Sequence, residues 1–359
     1  MRTGISLYPG LIAYDRPYAD IIHEAAGYGV SRIFTSLHIP ESNPAALRQD
    51  LQDLLVSARN AGMDVIADIS PTTCQLLGMP TLDPTYLQEL GITTARLDFG
   101  FTVEQTALWS RVMPLQLNAS TVQPAYIAAL RDGGADFSQI DSLHNFYPRP
   151  DTGLSESFLM KQTDWLHGCG ISVGAFVPSQ HDRRGPLYEG LPTVEEHRHL
   201  PTSTAIRHLA ALGLDSIFLG DSPAGCEELA ALAEADRDVV VLHAYLLTQD
   251  WHMQDILSHT FTSRLDGAAA VIRAQESRAL FKDYPVHADA SLCQERHCGD
   301  VTVDTTDFLR YMGEMQIILH DLPPEKRTNI VARIVPEDRI LLPYITPGRK
   351  FRFHFVRPL

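Results

Sequence analysis

The feature that most constrains the fold is an alternation of short apolar runs with longer segments of helical periodicity, which repeats eight times from the start of the chain. The runs occupy residues 4–8, 31–37, 64–69, 94–98, 114–118, 138–145, 172–177 and 215–219. Eight strand–helix units over roughly 220 residues approach the ~250 residues of a typical closed barrel. The alternation therefore predicts an α/β fold with a (β/α)8 barrel, and an open doubly wound sheet is the structural alternative.

The segment between the second and third runs shows how the helices are marked. Leu47, Leu51 and Leu54 recur at three- and four-residue spacing, which places them on one stripe of a helix over residues 44–61. Asn43 is a suitable N-cap, and Gly62 stands where the helix must end, in the left-handed conformation that favours glycine.

The last third of the chain follows a different pattern. After about Asp236 the alternation stops, and β-type runs such as DVVVLHAYL and KFRFHFV follow with few helical intervals. This predicts two domains, residues 1–235 and residues 236–359, of which the second is mostly β and built as a small barrel or closed sheet.

The charge balance limits the partners. The chain has 29 Lys and Arg against 44 Asp and Glu, a formal net charge of −15, so we expect neither nucleic acid nor a membrane surface as a partner. No apolar run approaches the ~20 residues of a membrane helix. Five scattered cysteines, and an N-terminus without a signal-peptide pattern, predict a cytoplasmic protein with reduced thiols. A homodimer is the default expectation for its assembly.

Carboxylates at the ends of the predicted strands are the main candidates for chemistry, because the active site of a (β/α)8 barrel forms at the C-terminal ends of its strands. Asp68, Asp98 and Asp221 end the third, fourth and eighth units, and Glu41 and Glu189 lie in loops after the second and seventh. Paired carboxylates serve glycoside hydrolysis, one protonated to assist the leaving oxygen and one ionised to attack or to activate water.

Other side chains in the same positions indicate the kind of substrate. Arg149, Arg183 and Arg184 suit a phosphate or a carboxylate, because the guanidinium group has a fixed donor fork. Five aromatic side chains could stack on a sugar face, namely Tyr8, Phe99, Phe101, Tyr147 and Tyr188. The remaining candidates for contact with a ligand are His38, Asn118, His144 and Asn145. The set predicts a polar, anionic, ring-shaped substrate.

Several of these residues also have a structural interpretation. Asp221 could cap the helix that follows its strand, and Asp98 could form an ion pair with Arg96 inside the barrel. His38 and His144 could be hydrogen-bonded residues of the core or rim.

Metal and nucleotide motifs are weak or missing from the sequence. Cys293, His297 and Cys298 lack the second ligand pair that a structural zinc site needs. The sequence contains no P-loop, GxGxxG or HExxH motif, so we expect no metal and no cofactor.

Two longer motifs give the chain a family resemblance. They are HNFYPRPDTGLS over residues 144–155 and RGPLYEGLPTVEEHR over residues 184–198. Together with GISLYP at residues 4–9 and SLHIPE at residues 36–41, they resemble the bacterial 6-phospho-N-acetylmuramidase family, and the resemblance extends over essentially the whole chain.

The resemblance implies a TIM-type barrel followed by a cyclophilin-like β domain. It also implies cytoplasmic hydrolysis of N-acetylmuramic acid 6-phosphate linked β-1,4 to N-acetylglucosamine, a step in the recycling of cell-wall (peptidoglycan) sugars. This disaccharide carries a phosphate and a lactyl carboxylate, which agrees with Arg149 and Arg184 as phosphate candidates, although the sequence leaves open the choice between Arg183 and Arg184.

The catalytic roles are assigned from strand position. Asp98 and Glu189 form the leading carboxylate pair, with Asp68 and Asp221 in reserve. Retaining, inverting and substrate-assisted mechanisms all stay open, because the outcome depends on the separation of the two carboxylates.

Two other functions fit the same inventory. One is a metal-dependent sugar-phosphate isomerase or aldolase, with Asp68, Asp98, Glu41 and His144 as ligands. The other is a sugar-phosphate-binding protein whose barrel has no activity.

Overall fold

A computed structural model describes residues 1–37, 39, 41–71, 73–78, 81–97 and 99–357. The chain forms two compact units, Met1–Leu209 with Gly213–Ala235 and Ala210–Leu212 with Asp236–Leu359. No helix in these described ranges is long and apolar enough to cross a membrane.

The first unit contains a closed barrel of eight parallel strands. The strands are β1 (Arg2–Ser6), β2 (Arg32–Ser36), β3 (Asp64–Ile69), β4 (Thr94–Leu97), β5 (Leu115–Asn118), β6 (Ile140–Leu143), β7 (Val173–Val177) and β8 (Ser216–Leu219). Strand β1 pairs with β8 as well as with β2, and this pairing closes the barrel. The predicted (β/α)8 barrel is confirmed, and the open doubly wound sheet is excluded.

Helices follow the strands in the order that the periodicity predicts. They are α1 (Tyr18–Gly27), α2 (Pro44–Ala61), α3 (Thr73–Leu77), α4 (Pro84–Leu90), α5 (Val103–Trp109), α6 (Pro124–Asp132), α7 (Glu156–Gly168), α8 (Thr202–Ala211) and α9 (Cys226–Glu234). Helix α2 has the predicted bounds. The Asn43 side chain accepts a hydrogen bond from the Ala45 N–H at 3.0 Å, and Gly62 ends the helix at φ 68°.

Large aromatic side chains fill the barrel interior. Phe34, Phe176 and Phe218 pack in one buried cluster. Their bulk requires glycine on a neighbouring strand, because a Cβ atom on Gly4 would lie 2.2 Å from the Phe218 ring. The barrel is therefore a packed core with no pore, and it supports the residues at its C-terminal end from below.

The second unit is mostly β, as predicted. Its sheet has the strand order β10-β15-β9-β14-β12-β13-β11. The strands are β9 (Val239–Leu246), β10 (Thr260–Thr262), β11 (Val271–Arg273), β12 (Asp300–Asp304), β13 (Met315–Ile318), β14 (Thr328–Ile334) and β15 (Lys350–Val356), with short helices α10 (Trp251–Leu257) and α11 (Ser277–Leu280). An antiparallel bridge between Ser263 and Ala274 joins the two ends of the sheet.

A buried arginine connects the two barrel loops that carry the longest sequence motifs. Arg198 lies in a 3-10 helix, Glu195–His199, and is fully buried. Its guanidinium donates to Glu195 at 2.6 and 2.7 Å, to the carbonyl of Tyr147 in the loop after β6, and to the carbonyls of Glu189 and Gly190 in the loop after β7. Both loops are thereby held on one side chain.

Glu195 completes this connection. Its carboxylate also accepts the backbone N–H groups of Asp151 and Gly153, at 3.0 and 2.7 Å. The hydrogen bonds from Arg198 lower the pKa of Glu195 to about 2, and the two backbone donors act in the same direction. Gly153 is required by this close approach, because a Cβ atom there would lie 2.5 Å from a Glu195 oxygen.

We predict that Glu195→Gln destabilises the barrel unit by about 2 kcal/mol, the order of a charge-assisted hydrogen bond whose partner stays buried. Urea unfolding at pH 7 measures the change, and the exposed neighbour Glu196 supplies the matched control, Glu196→Gln.

Because the pKa of Glu195 is depressed, its contribution to the free energy of unfolding is present above the ordinary carboxyl pKa of 4.5 and is lost as the pH falls towards about 2. The stability difference between wild type and Glu195→Gln should therefore shrink over that range. Equal urea midpoints for the two variants at pH 7 would contradict the role.

Candidate active site

A cleft of about 1160 Å³ opens among the loops that follow β1, β7 and β8. Residues 11–16, 180–186 and 222–228 supply most of its lining, with Glu41 at its edge. This is the C-terminal end of the barrel strands, where a barrel of this type builds its active site.

Arg184 is the most unusual residue of the cleft. Its guanidinium carbon lies 4.5 Å from the ring centre of Tyr8 and 5.2 Å from that of Phe146. The residue is only 9% exposed, and its Nε and Nη1 atoms are buried without a hydrogen-bond partner among the described residues. A buried cation in this state is costly unless an anion joins it. Two donor groups of Arg184 therefore lack acceptors among the described residues.

Arg183 has a different role from its neighbour. Its guanidinium donates to the carbonyl of Ser179 at 3.1 Å, to the side-chain oxygen of Gln180 at 2.9 Å and to the carbonyl of Arg198 at 3.1 Å. These three bonds hold the loop after β7 in place. The geometry thus distinguishes the two arginines that the sequence left open.

Asp221 organises the same loop. Its carboxylate accepts three backbone N–H groups, those of Ser179, Arg184 and Leu191, at 2.9–3.0 Å. Burial raises the pKa of Asp221, and the three hydrogen bonds oppose that shift. The alternative that Asp221 caps the following helix is wrong, because α9 is capped by Gly225 and these carboxylate oxygens face the β7 loop.

Glu228 is a functional-site residue that the sequence analysis missed. Its buried carboxylate accepts the hydroxyls of Ser179 and Thr202 and the backbone N–H of Gln180, each at 2.9 Å, and the N–H of Gly225 at 3.1 Å. A Glu three residues after the N-cap, whose carboxylate accepts the N-cap N–H, is one half of a capping box, and this spacing was the available signal.

Tyr14 also escaped the sequence analysis. Its hydroxyl accepts the Tyr8 N–H at 2.9 Å and lies 2.8 Å from the hydroxyl oxygen of Ser222, so it joins the loops after β1 and β8. Burial raises the pKa of Tyr14 to about 12, and the phenol stays neutral. No motif marks this tyrosine, because its role depends on a partner more than 200 residues away in sequence.

Asp68 and Asn145 meet at Arg96 inside the mouth of the barrel. Arg96 donates to Asp68 at 2.9 Å and to the side-chain oxygen of Asn145 at 2.5 Å, and the Ser36 hydroxyl lies 3.4 Å from Asp68. The proposed ion pair of Arg96 with Asp98 falls outside the described residues, as does Asp98 itself. Within them, Arg96 pairs with Asp68.

His144 and Asn118 lie on the neighbouring strand ends. His144 is fully buried, with Nδ1 3.1 Å from the Ser120 hydroxyl oxygen and Nε2 without a partner among the described residues. Burial lowers the pKa of His144 to about 3, with a further contribution from the charge of Arg96, so the ring is neutral at physiological pH. The Asn118 side chain accepts the Ser120 N–H, which leaves its amide nitrogen for other partners.

The remaining predicted residues differ in whether they line the cleft. Tyr8 is buried beneath Arg184, and its hydroxyl donates to the carbonyl of Gly220 at 2.6 Å. Glu41 is exposed at the cleft edge, whereas the half-buried Tyr147 and the exposed Arg149 are not among the cleft residues. His38 lies outside the described residues.

Glu189 combines a fixed backbone with an unengaged side chain. Arg198 holds its carbonyl at 3.2 Å, and the residue is half-buried. Its carboxylate makes no hydrogen bond or ion pair with any described residue. Glu189 follows the cleft residue Tyr188 in the chain but is not itself among the residues that line the cleft.

A search of the described part of the chain finds no group of three or more His, Cys, Asp or Glu residues placed to hold a metal ion. The thiols of Cys293 and Cys298 are free. The structure therefore offers no support for a zinc site at this pair.

Comparison with protein families identifies both parts of the chain. Residues 3–234 match the family described as 6-phospho-N-acetylmuramidase, N-terminal, and residues 241–354 match the corresponding C-terminal family. The match confirms the family resemblance that the motifs carry, and it gives no support to an isomerase, an aldolase or an inactive binding protein.

Solved structures agree with this identification. A B. cereus protein described as uncharacterized is 29% identical over 98% of this chain and 99% of its own, with a TM-score of 0.87. A conserved Enterococcus faecalis protein of unknown function is 33% identical over 99% and 96%, with a TM-score of 0.76. A search of curated proteins found no match. The chain thus belongs to the 6-phospho-N-acetylmuramidase family, and it is a glycosidase with a phosphorylated sugar as its substrate.

Proposed function

We propose that the enzyme hydrolyses the β-1,4 bond between N-acetylmuramic acid 6-phosphate and N-acetylglucosamine in the cleft, and that Arg184 binds the phosphate. The observation that carries this proposal is the buried, unpaired guanidinium of Arg184. A dianionic phosphate would supply hydrogen-bond acceptors for the Nε and Nη1 atoms of Arg184, which have none among the described residues.

The surrounding charges support a phosphate at this place. The buried carboxylates Asp221 and Glu228 direct their oxygens to backbone N–H groups and hydroxyls of the surrounding loops. Neither makes an ion pair with Arg184. Charge-assisted hydrogen bonds contribute roughly 1.5–3 kcal/mol each, and the unpaired Nε and Nη1 atoms of Arg184 leave such bonds available to a phosphate.

For the chemistry we propose Glu189 and Asp98 as the carboxylate pair. One of them, protonated, donates its proton to the glycosidic oxygen as the bond from C1 to that oxygen breaks. The other, ionised, attacks C1, activates the water that does so, or orients the 2-acetamido group as an internal nucleophile. The unengaged carboxylate of Glu189 and the position of Asp98 directly after β4 support this pair.

Asp68 and Asp221 remain the reserve carboxylates. Asp68 is the stronger of the two, because it ends a barrel strand beside Arg96 and its charge is not directed to backbone N–H groups in any contact named above. All three oxygen contacts of Asp221 are to backbone N–H groups, which favours a structural role.

We further propose that other residues predicted from the sequence contact the sugar rings and the lactyl group. These are His38, Glu41, Asn118, His144, Asn145, Tyr147 and Arg149, whereas the fully buried Tyr8 would act by supporting Arg184. The amide nitrogen of Asn118 and the Nε2 atom of His144 have no partner among the described residues, which supports a ligand contact for both.

The proposed setting is the cytoplasm, where the enzyme would recycle cell-wall sugars after their phosphorylation. All five cysteines are free thiols, which agrees with a reducing compartment. We propose a homodimer as its assembly, on the general frequency of such dimers.

The decisive assay treats the EDTA-washed enzyme with the phosphorylated disaccharide and, in parallel, with the unphosphorylated one, and identifies products by mass spectrometry. We expect cleavage of the phosphorylated sugar alone. Failure to cleave either disaccharide, with or without added divalent metal, would contradict the proposed function.

Replacing Arg184 tests the phosphate site. We expect Arg184→Gln to lower kcat/KM for the phosphorylated disaccharide by about 100-fold, since one or two charge-assisted hydrogen bonds are lost in the bound state. Calorimetry with N-acetylmuramic acid 6-phosphate should show a matching loss of affinity. The parallel variant Arg149→Gln examines the other phosphate candidate, and a larger loss in that variant would transfer the role to Arg149.

Replacing the carboxylates tests the chemistry. We expect Asp98→Asn and Glu189→Gln each to lower kcat by roughly 10²–10⁴-fold, the usual range for general acid–base groups, with the thermal unfolding midpoint unchanged. Glu196→Gln, in the same loop as Glu189, is the matched control and should turn over normally. A folded variant with wild-type kcat would remove that residue from the pair and point to Asp68.

A further inference from the structure

We propose that Tyr188 is a substrate-contacting residue whose ring stacks on the apolar face of the phosphorylated sugar. The inference rests on the proposed phosphate site at Arg184 and adds the residue that recognises the ring next to that phosphate. Its basis is the geometry of a short loop, residues 185–190, that borders the cleft.

One buried carboxylate fixes both ends of this loop. The Arg184 N–H donates to Oδ1 of Asp221 at 2.9 Å, and the Leu191 N–H donates to Oδ2 at 3.0 Å. The residues between them project from a fixed base. The backbone that carries Tyr188 is therefore anchored on both sides.

The backbone holds Tyr188 in a conformation that tyrosine rarely adopts. Its φ is 57°, in the left-handed region, and its side chain is 67% exposed. Because the ring stays in water, its burial does not offset the backbone strain. Strain of this kind is typical of functional sites. The phenol end of Tyr188 lies close to Gly185, where a Cβ atom would be 3.1 Å from the hydroxyl oxygen.

The backbones of Tyr188 and Arg184 are adjacent, because the Tyr188 N–H donates to the Arg184 carbonyl at 3.3 Å and closes one turn of the chain. Both residues line the same cleft. A guanidinium group and an exposed aromatic ring in one cleft match the two parts of a hexose 6-phosphate: an anionic group and a ring with an apolar face.

The other tyrosines near the cleft are already engaged. The hydroxyl of Tyr14 is bonded to the backbone of Tyr8 and lies 2.8 Å from Ser222, and Tyr8 is fully buried beneath Arg184. In contrast, Tyr188 makes no side-chain hydrogen bond and no ring contact with any described residue. It is the cleft tyrosine whose ring is free to receive a ligand.

Steady-state kinetics of the full-length enzyme with the phosphorylated disaccharide tests the proposal. We expect Tyr188→Ala to raise KM by about 10-fold, the order of one aromatic contact, with kcat within about threefold of wild type. The left-handed backbone conformation is unfavourable for both Ala and Tyr. The substitution therefore removes the ring and leaves the backbone strain at position 188 in place. Tyr188→Phe keeps the ring and should behave as wild type.

The control is Leu187→Ala, which removes an exposed side chain from the same loop at a position that does not line the cleft. Its KM should not change. A wild-type KM for Tyr188→Ala, or an equal rise for Leu187→Ala, would overturn the role of Tyr188. Failure of the wild-type enzyme to cleave the phosphorylated disaccharide would instead contradict the proposed function, so the two failures are distinguishable.

Discussion

The arrangement of the active-site loops depends on the need of one buried arginine for hydrogen-bond acceptors. Arg198 is fully buried, and a guanidinium in that position is tolerated only when its donors are satisfied. Glu195 supplies the charge, and carbonyl groups from the loops after β6 and β7 supply the remaining acceptors. Two long connections that a barrel alone would leave loose are therefore held together, and Glu189 is placed as a consequence.

Buried carboxylates also need hydrogen-bond partners, and the way in which they find them leaves Arg184 without an ion pair. Asp221 and Glu228 could each have neutralised Arg184, but their oxygens are occupied by backbone N–H groups and hydroxyls of the loops they hold. Arg183 is likewise used for the loop itself. Among these residues of the β7 and β8 loops, the positive charge that remains is that of Arg184, which lies against two aromatic rings and lines the cleft. The proposed anion-binding site is thus explained by neighbours whose charges are already satisfied.

This explains which features the sequence could predict. The stripe of leucines and the Asn43 and Gly62 caps of α2 are local, so the helix bounds followed from spacing. The eight-unit alternation predicted the barrel, and the family motifs predicted the activity. The role of Asp221 could not be predicted, because its three partners lie 30–42 residues away. Position at a strand end indicates that a residue lies near the cleft. Its role there depends on which hydrogen-bond donors and acceptors are already paired with one another.

The charge of the chain raises a last question, since a protein of net charge −15 binds an anionic sugar. At physiological ionic strength the screening length is about 8 Å, so most of the surface carboxylates act only weakly on a ligand inside the cleft. A cation that is buried within contact distance is screened far less and dominates there. Selectivity for the phosphorylated substrate would then depend on the desolvated environment of Arg184 rather than on the overall field, and it would persist at salt concentrations that suppress long-range attraction.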